Sequence, residues 1–189
     1  GKVKLPVFLQ QQLEAKEGNI IEIEPNEIKN EALNLEPSLI QLTSPVNFNP
    51  GMGKVIGRHQ GAHYYTVGQR KGLGVGGKAL PLFILETDTA SNTVYVGQGE
   101  NHPGLLRKGL RVLAADVHWV REDLQMMPGE QRSYKGRIRY RQELVECRLM
   151  MHEDALYIQF GEMQRGIAAG QFVAWYTEDE LIGSGVIAG

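Results

Sequence analysis

Residues 132–160 read RSYKGRIRYRQELVECRLMMHEDALYIQF, and their reading decides the fold. Apolar and polar positions alternate in short runs broken at Gln142 and at Glu153-Asp154, which is the pattern of strands joined by close turns. The spacing predicts strands over 132–141, 143–151 and 155–160. Two more follow over 171–177 and 181–187, with turns at Ala169-Gly170 and at 178–180. A run of short strands with close turns predicts a small barrel or sandwich. Upstream, 110–120 is a further strand candidate. Leu82 and Ile84 with Val94 and Val96 flank a Ser91-Asn92 turn and predict a hairpin. Residues 99–109 form a polar connection between the two.

The amino-terminal part is more mixed. Leu5, Phe8, Leu9 and Leu13 recur at helical spacing, with Pro6 suited to a first turn and Gly18 to a carboxyl-terminal cap, so a short helix is predicted there. Ile20, Ile21 and Ile23 predict a strand ended by Pro25. Residues 25–52, rich in Asn and Pro, read as a long connection or insertion with one short helix near 27–33. The fold class expected is therefore mainly β with a short N-terminal helix: a small central α+β or β domain, then an antiparallel β-barrel. The expected organisation is a central domain over 1–79, a hairpin and connection over 80–108, and the barrel over 109–189.

Composition bounds the function. The chain has 189 residues, 42% hydrophobic and 22% charged, with 20 Lys and Arg against 22 Asp and Glu. That length buries a real core without disulfides. The net charge of −2 excludes a binder that is basic overall, but not a local basic face. The lone cysteine, Cys147, excludes an internal disulfide and fits a reducing compartment. No apolar run has the length of a membrane helix, and no signal peptide is expected.

Two windows could carry chemistry. Over 131–141 there are five basic residues and no acidic one. Along the strand predicted over 132–141, Lys135, Arg137, Arg139 and Arg141 line one face at a spacing of roughly 6–7 Å, matched to a run of phosphates. The same pattern also fits a solvated barrel face with cross-strand pairs, Arg141 to Glu143 or Glu146. Residues 53–77 are dense in glycine and free of acids. Gly72-Leu73-Gly74-Val75-Gly76-Gly77 matches no nucleotide-loop pattern. Close backbone approach to RNA beside Gln69, Arg70 and Lys71, and turns where domains pack, both remain open for it. His59 and His63 stand four apart, but the glycines between and beside them oppose a helix and no third ligand is near, so no metal site is expected. Cys147 lies on an inward strand position and reads as a buried hydrophobe.

Taken together, Gly57-x-His59-x-Gly61 and the run Tyr65-Thr66-Val67-Gly68-Gln69-Arg70-Lys71-Gly72-Leu73-Gly74 resemble the signature of tRNA-specific 2-thiouridylases, named earlier as tRNA (5-methylaminomethyl-2-thiouridylate) methyltransferases. The resemblance continues through Ser91-Asn92, His102-Pro103, His118-Trp119, Arg139-Tyr140-Arg141-Gln142 with Cys147, Gln164-Arg165, Gly170-Gln171 and Gly183-Ser184-Gly185. It implies an ATP-dependent sulfurtransferase, cytoplasmic, that 2-thiolates the wobble uridine. An N-terminal catalytic domain would carry a Ser-Gly-Gly-x-Asp adenylation loop, using ATP with Mg, and two catalytic cysteines, one loaded by a sulfur-carrier protein.

This chain holds neither the loop nor those cysteines. The resemblance therefore implies the central and C-terminal tRNA-binding portion, inactive alone, with no catalytic residue and no cofactor of its own. It implies a barrel like the second-domain barrels of elongation factors, set against the anticodon arm of tRNA. Arg139, Tyr140 and Gln171 match tRNA-contacting positions. Gln69, Arg70, Lys71, Lys135, Arg137 and Arg141 are the further candidates. Cys147 matches a non-catalytic cysteine. Two departures stand out. Between Gly18 and Gly53 the chain runs roughly 20–30 residues longer than the family's usual short hairpin, which makes 25–52 an expected insertion, and Ala168-Ala169 replaces Thr-Pro before Gly170-Gln171. The alternative reading is a free-standing RNA- or protein-binding barrel.

Overall fold

The computed structural model describes residues 15–28 and 38–189. The helix expected around Leu5 to Leu13 lies outside the described residues. Of the helix expected over 27–33, only a 3₁₀ turn at Pro25–Glu27 falls inside them. The described residues divide into two compact units, one of 15–28 with 46–105 and one of 38–45 with 106–189. Among them, no helix is long and apolar enough to cross a membrane.

The first unit is a four-stranded sheet. Its strands are β1 (Gly18–Ile23), β2 (Gly53–His59), β3 (Leu82–Asp88) and β4 (Thr93–Gln98). They lie in the order β2-β1-β4-β3, with β1 parallel to β4 and the other pairs antiparallel. Side chains alternate between faces, and here both faces are covered. Ile20, Ile84, Val94 and Val96 pack on one side. Ile21, Ile23, Phe83, Leu85 and Tyr95 pack on the other. A parallel pair at the centre of such a sheet is typically buried on both faces, which explains the nearly continuous isoleucine run of β1. Glu22 is buried in that run, where it is paired with Lys78 and accepts from Gln98 at 2.8 Å. The pairing ties the end of the glycine-rich loop to the sheet.

β2 had no counterpart in the strand pattern. It is an edge strand with exposed Lys54, Val55 and Arg58 and a glycine mid-strand, so it lacks the alternation that marks a half-buried strand. The other edge is extended by the loop that carries the Val67-Gly68-Gln69 run. The Gly68 N–H donates to the Ile84 carbonyl at 2.8 Å, and the Ile84 N–H donates to the Gln69 carbonyl at 3.0 Å.

The second unit is a closed six-stranded antiparallel barrel. Its strands are β5 (Leu106–Trp119), β6 (Gln131–Arg137), β7 (Val145–Met151), β8 (Ala155–Arg165), β9 (Phe172–Thr177) and β10 (Glu180–Ile187). The order is β10-β5-β8-β7-β6-β9, and pairing of β9 with β10 closes the ring. The interior holds Leu110, Val112, Leu149, Ile158, Phe160 and Val173 around Trp119 and Trp175. The two indoles meet edge to face at 5.3 Å. Cys147 is part of this core.

A short helix, α1 (Leu39–Thr43), packs on β5 and β8 of the barrel. A capping box starts it: Ser38 Oγ accepts from the Gln41 N–H, and Gln41 Oε1 accepts from the Ser38 N–H. Arg107 clasps its far end. That guanidinium donates to the carbonyls of Thr43 at 3.2 Å and Ile167 at 3.3 Å. Burial without a carboxylate pulls its pKa down to about 10.

The strand expected over 132–141 ends at Arg137. Ile138 turns into the core. Its N–H donates to Gln142 Oε1 at 3.1 Å, while the Gln142 N–H donates to the Arg139 carbonyl at 3.0 Å. Gln142 Nε2 donates in turn to the buried Gln164. The local hydrogen bonds of Gln142 replace the ladder, so residues 138–142 form a turn. Arg139 and Arg141 therefore do not continue the strand face of Lys135 and Arg137.

Candidate nucleic-acid interface

β6, the 138–142 turn and the start of β9 frame one groove of about 570 Å³, lined by Arg137, Arg139, Tyr140, Gln171, Phe172 and Tyr176 among others. The register explains the meeting. Arg137 pairs opposite Ala174 and Lys135 opposite Tyr176, so outward side chains of β6 and β9 stand side by side. The 138–142 turn then carries Arg139 and Tyr140 over the start of β9.

Each expected residue has a definite place. Tyr140 is 87% exposed, which excludes a core role for its ring. Arg139 is exposed, and one of its amino groups donates to the Gly166 carbonyl at 3.1 Å. Burial of its inner end, and then the Arg165 charge, draw its pKa below the usual value. Arg137 is held at both ends: Nη1 donates to the Tyr140 carbonyl at 3.1 Å and Nη2 to the Tyr176 hydroxyl at 2.9 Å. Lys135 is exposed on β6, with Glu146 as its register partner on β7. Arg141 is exposed in the turn. Arg132, counted among the basic residues of this window, is taken up by Glu130 at 2.9 Å and by the Leu124 carbonyl at 2.8 Å.

Gln69, Arg70 and Lys71 belong to the other unit and are not part of this groove. Gln69 is spent on its own turn. It accepts from the Thr66 N–H at 3.1 Å and donates to the Lys71 carbonyl at 2.7 Å. Arg70 and Lys71 are exposed beside it.

His59 closes β2, while His63 sits in a separate 3₁₀ turn at Ala62–Tyr64. Each ring packs edge-on against a tyrosine, His59 on Tyr65 and His63 on Tyr64. His59 Nδ1 accepts from the Gly61 N–H at 3.0 Å.

Strand pattern reading missed Phe172 and Tyr176. Their signal was present in the alternation of Phe172, Ala174 and Tyr176 against the buried Val173 and Trp175.

Cys147 is a free cysteine buried in the barrel core. Burial, with Glu146 adding to it, pushes the thiol up to about 12. At pH 8 the native chain should react with an aromatic disulfide reagent about a thousandfold more slowly than the denatured chain. Equal rates would show an accessible thiolate.

Comparison with known families agrees with this architecture. Residues 44–98 match a tRNA methyl transferase PRC-barrel domain, and residues 110–187 match an aminomethyltransferase beta-barrel domain. The fold and these matches define a β-barrel protein of the class found in tRNA-modifying enzymes. Across its whole length the chain is 52% identical to the tRNA-specific 2-thiouridylase MnmA of Flavobacterium johnsoniae, covering 49% of that protein. It is 48% identical to that of Christiangramia forsetii and 39% identical to that of Karelsulcia muelleri, again along its whole length, covering 49% and 48% of them. The chain belongs to the tRNA-specific 2-thiouridylase family. It spans about half the length of the curated relatives it matches.

Proposed function

We propose that this chain is the tRNA-binding portion of an ATP-dependent sulfurtransferase that 2-thiolates the wobble uridine of tRNA. What supports the reading is one convergence. Arg139 and Tyr140, neighbours in the chain, and Gln171, distant from them in sequence, line a single groove. The barrel face would take the anticodon arm, with Arg139 and Lys135 meeting phosphates. Arg70 and Lys71 of the other unit would add cationic contacts of their own.

The chemistry belongs to other residues of the whole enzyme. Sulfur transfer to carbon 2 of uracil needs an activated oxygen leaving group and a sulfur nucleophile. ATP with Mg would supply the first, and a persulfide loaded by a sulfur-carrier protein the second. The present residues do not fit those groups. The sequence contains no Ser-Gly-Gly-x-Asp run. Among the described residues, no cluster of His, Cys, Asp and Glu could hold a metal ion. The only thiol is the buried Cys147. No step through ATP is assigned to this chain; its role is to hold and orient tRNA.

Titration of the chain with tRNA across a salt series tests this. Arg139→Ala should weaken binding and lower the slope of log K against log salt by about one phosphate contact. A slope equal to that of the parent would remove Arg139 from the phosphate interface.

A further inference from the structure

Two cavities of the sheet unit meet at Arg70 and Pro81, which line both. One, of about 620 Å³, is walled mainly by apolar groups: Leu80, Pro81 and Phe83 with Pro25 and Pro103. That volume suits one small organic ligand. The other, of about 390 Å³, lies along the glycine-rich loop and is lined by residues 72–76. Arg70 is exposed where they meet and makes no hydrogen bond or ion pair among the described residues.

The loop turns bare backbone outward. Leu73 is buried in the core of the sheet unit and Val75 packs against that core. Gly57 on β2 makes room for Val75, since a Cβ there would lie 2.9 Å from its methyl carbon. The residues that alternate with these two are Gly72, Gly74 and Gly76, all exposed. No N–H of residues 70–78 donates to an acceptor among the described residues. Gly76 adds an independent observation. Its φ is not positive, and a Cβ added there would meet nothing within 4 Å. Neither backbone conformation nor packing inside the described residues asks for glycine at 76; close approach of a ligand to the backbone does. Positive φ at Gly72, Gly74 and Gly77, of 92°, 67° and 75°, prevents a regular strand ladder with a partner chain. Successive free N–H groups in such a turn suit an anion.

We propose that the joined cavities bind a nucleotide. Its phosphoryl group lies against the loop N–H groups and Arg70, and its heterocycle lies against Leu80, Pro81 and Phe83. The lining sets this orientation: the loop cavity has no acidic residue, whereas Glu100 lines the apolar one. Asn101, also at the apolar cavity, offers a donor and an acceptor together, the pair that the N6 and N7 edge of adenine complements. The site lies in the sheet unit, and it does not rest on the reading that the barrel groove binds RNA.

Calorimetry with the 189-residue chain and AMP tests it. AMP should bind saturably. Adenosine, which lacks the phosphate, and ribose 5-phosphate, which lacks the ring, should each bind about tenfold more weakly or worse. Arg70→Ala should weaken AMP binding about tenfold. Gly76→Val, which covers the loop backbone, should abolish it and leave thermal unfolding unchanged, because the added side chain points into open space. A single-stranded oligoadenylate distinguishes the source of the nucleotide. If it binds, AMP does not, and Gly76→Val removes its binding, the site stands and its nucleotide belongs to an RNA chain. If AMP binds the parent, Arg70→Ala and Gly76→Val alike, or adenosine matches AMP, the site is overturned. If neither AMP nor the oligoadenylate binds, it is overturned as well, and the reading of the barrel groove is untouched.

Discussion

Trp175→Ala should cost the barrel about 3–5 kcal/mol, most of the stability of a domain this size. Trp175 is fully buried and meets Trp119 edge to face. The fold is shaped around it: a Cβ added at Gly183 would lie 2.5 Å from an indole ring carbon and 2.7 Å from the His118 carbonyl. Removing the indole therefore opens a cavity that the closed ring of strands cannot collapse to fill.

Trp175→Phe should behave differently. The indole Nε1 is buried without an acceptor among the described residues, and an unmet buried donor is unfavourable by about 1–3 kcal/mol. Phenylalanine loses volume but also removes that donor, so its net loss should stay under about 2 kcal/mol. Urea denaturation followed by circular dichroism measures both variants. Similar losses for the two would mean that the site is tuned to the N–H and not to the ring volume.

Asn92→Asp should be strongly destabilising to the sheet unit, although it alters one atom. Asn92 adopts a left-handed backbone, φ 51°, which Asn tolerates better than most residues. Its Oδ1 accepts from the Ala62 N–H at 2.9 Å, and its Nδ2 donates to the carbonyls of Lys16 at 2.9 Å and Glu17 at 3.0 Å. One buried amide thus joins the β3–β4 turn to the entry of β1 and the exit of β2. A carboxylate would keep the Ala62 bond, lose both donations and face two carbonyl oxygens. The expected loss is about 3 kcal/mol or more.

The sign of its pH dependence follows. Such an aspartate has its folded-state pKa raised, so the deficit should shrink below the usual aspartate pKa and grow as pH rises through the folded value. Hydrogen exchange in peptides covering 15–28 and 53–66 reads the effect. Asn92→Gly, which keeps the backbone conformation, should lose less. Equal exchange in the parent and Asn92→Asp would mean that these bonds do not hold the sheet together.

Much of this architecture was legible in the chain. Period-2 alternation marks β6 to β10, because a strand with one face in a barrel core must alternate. The Ser91-Asn92 turn marked its hairpin for a local reason, the left-handed tolerance of Asn. β2 was illegible, since an exposed edge strand carries no burial pattern. The extent of β6 was illegible too. Arg139 and Tyr140 keep up the alternation of Lys135 and Arg137, yet Gln142 offers the backbone a competing set of hydrogen bonds, and only the buried Gln164 makes that choice stable.

By itself the sequence determined the family, the β character of the chain, and the identity of Arg139, Tyr140 and Gln171 as candidates. Those follow from local pattern and motif. Tertiary structure decided the pairings and everything built from them: the parallel match of β1 to β4, the closure of the ring, and the meeting of β6 with β9. That last pairing turned an expected ladder of four cations into a groove. It engaged Arg137 with Tyr176 and brought Phe172 and Tyr176 beside β6, while the Gln142–Gln164 bond cut the ladder at the 138–142 turn. Register between strands distant in sequence depends on the whole packed core, and no short window of residues encodes it.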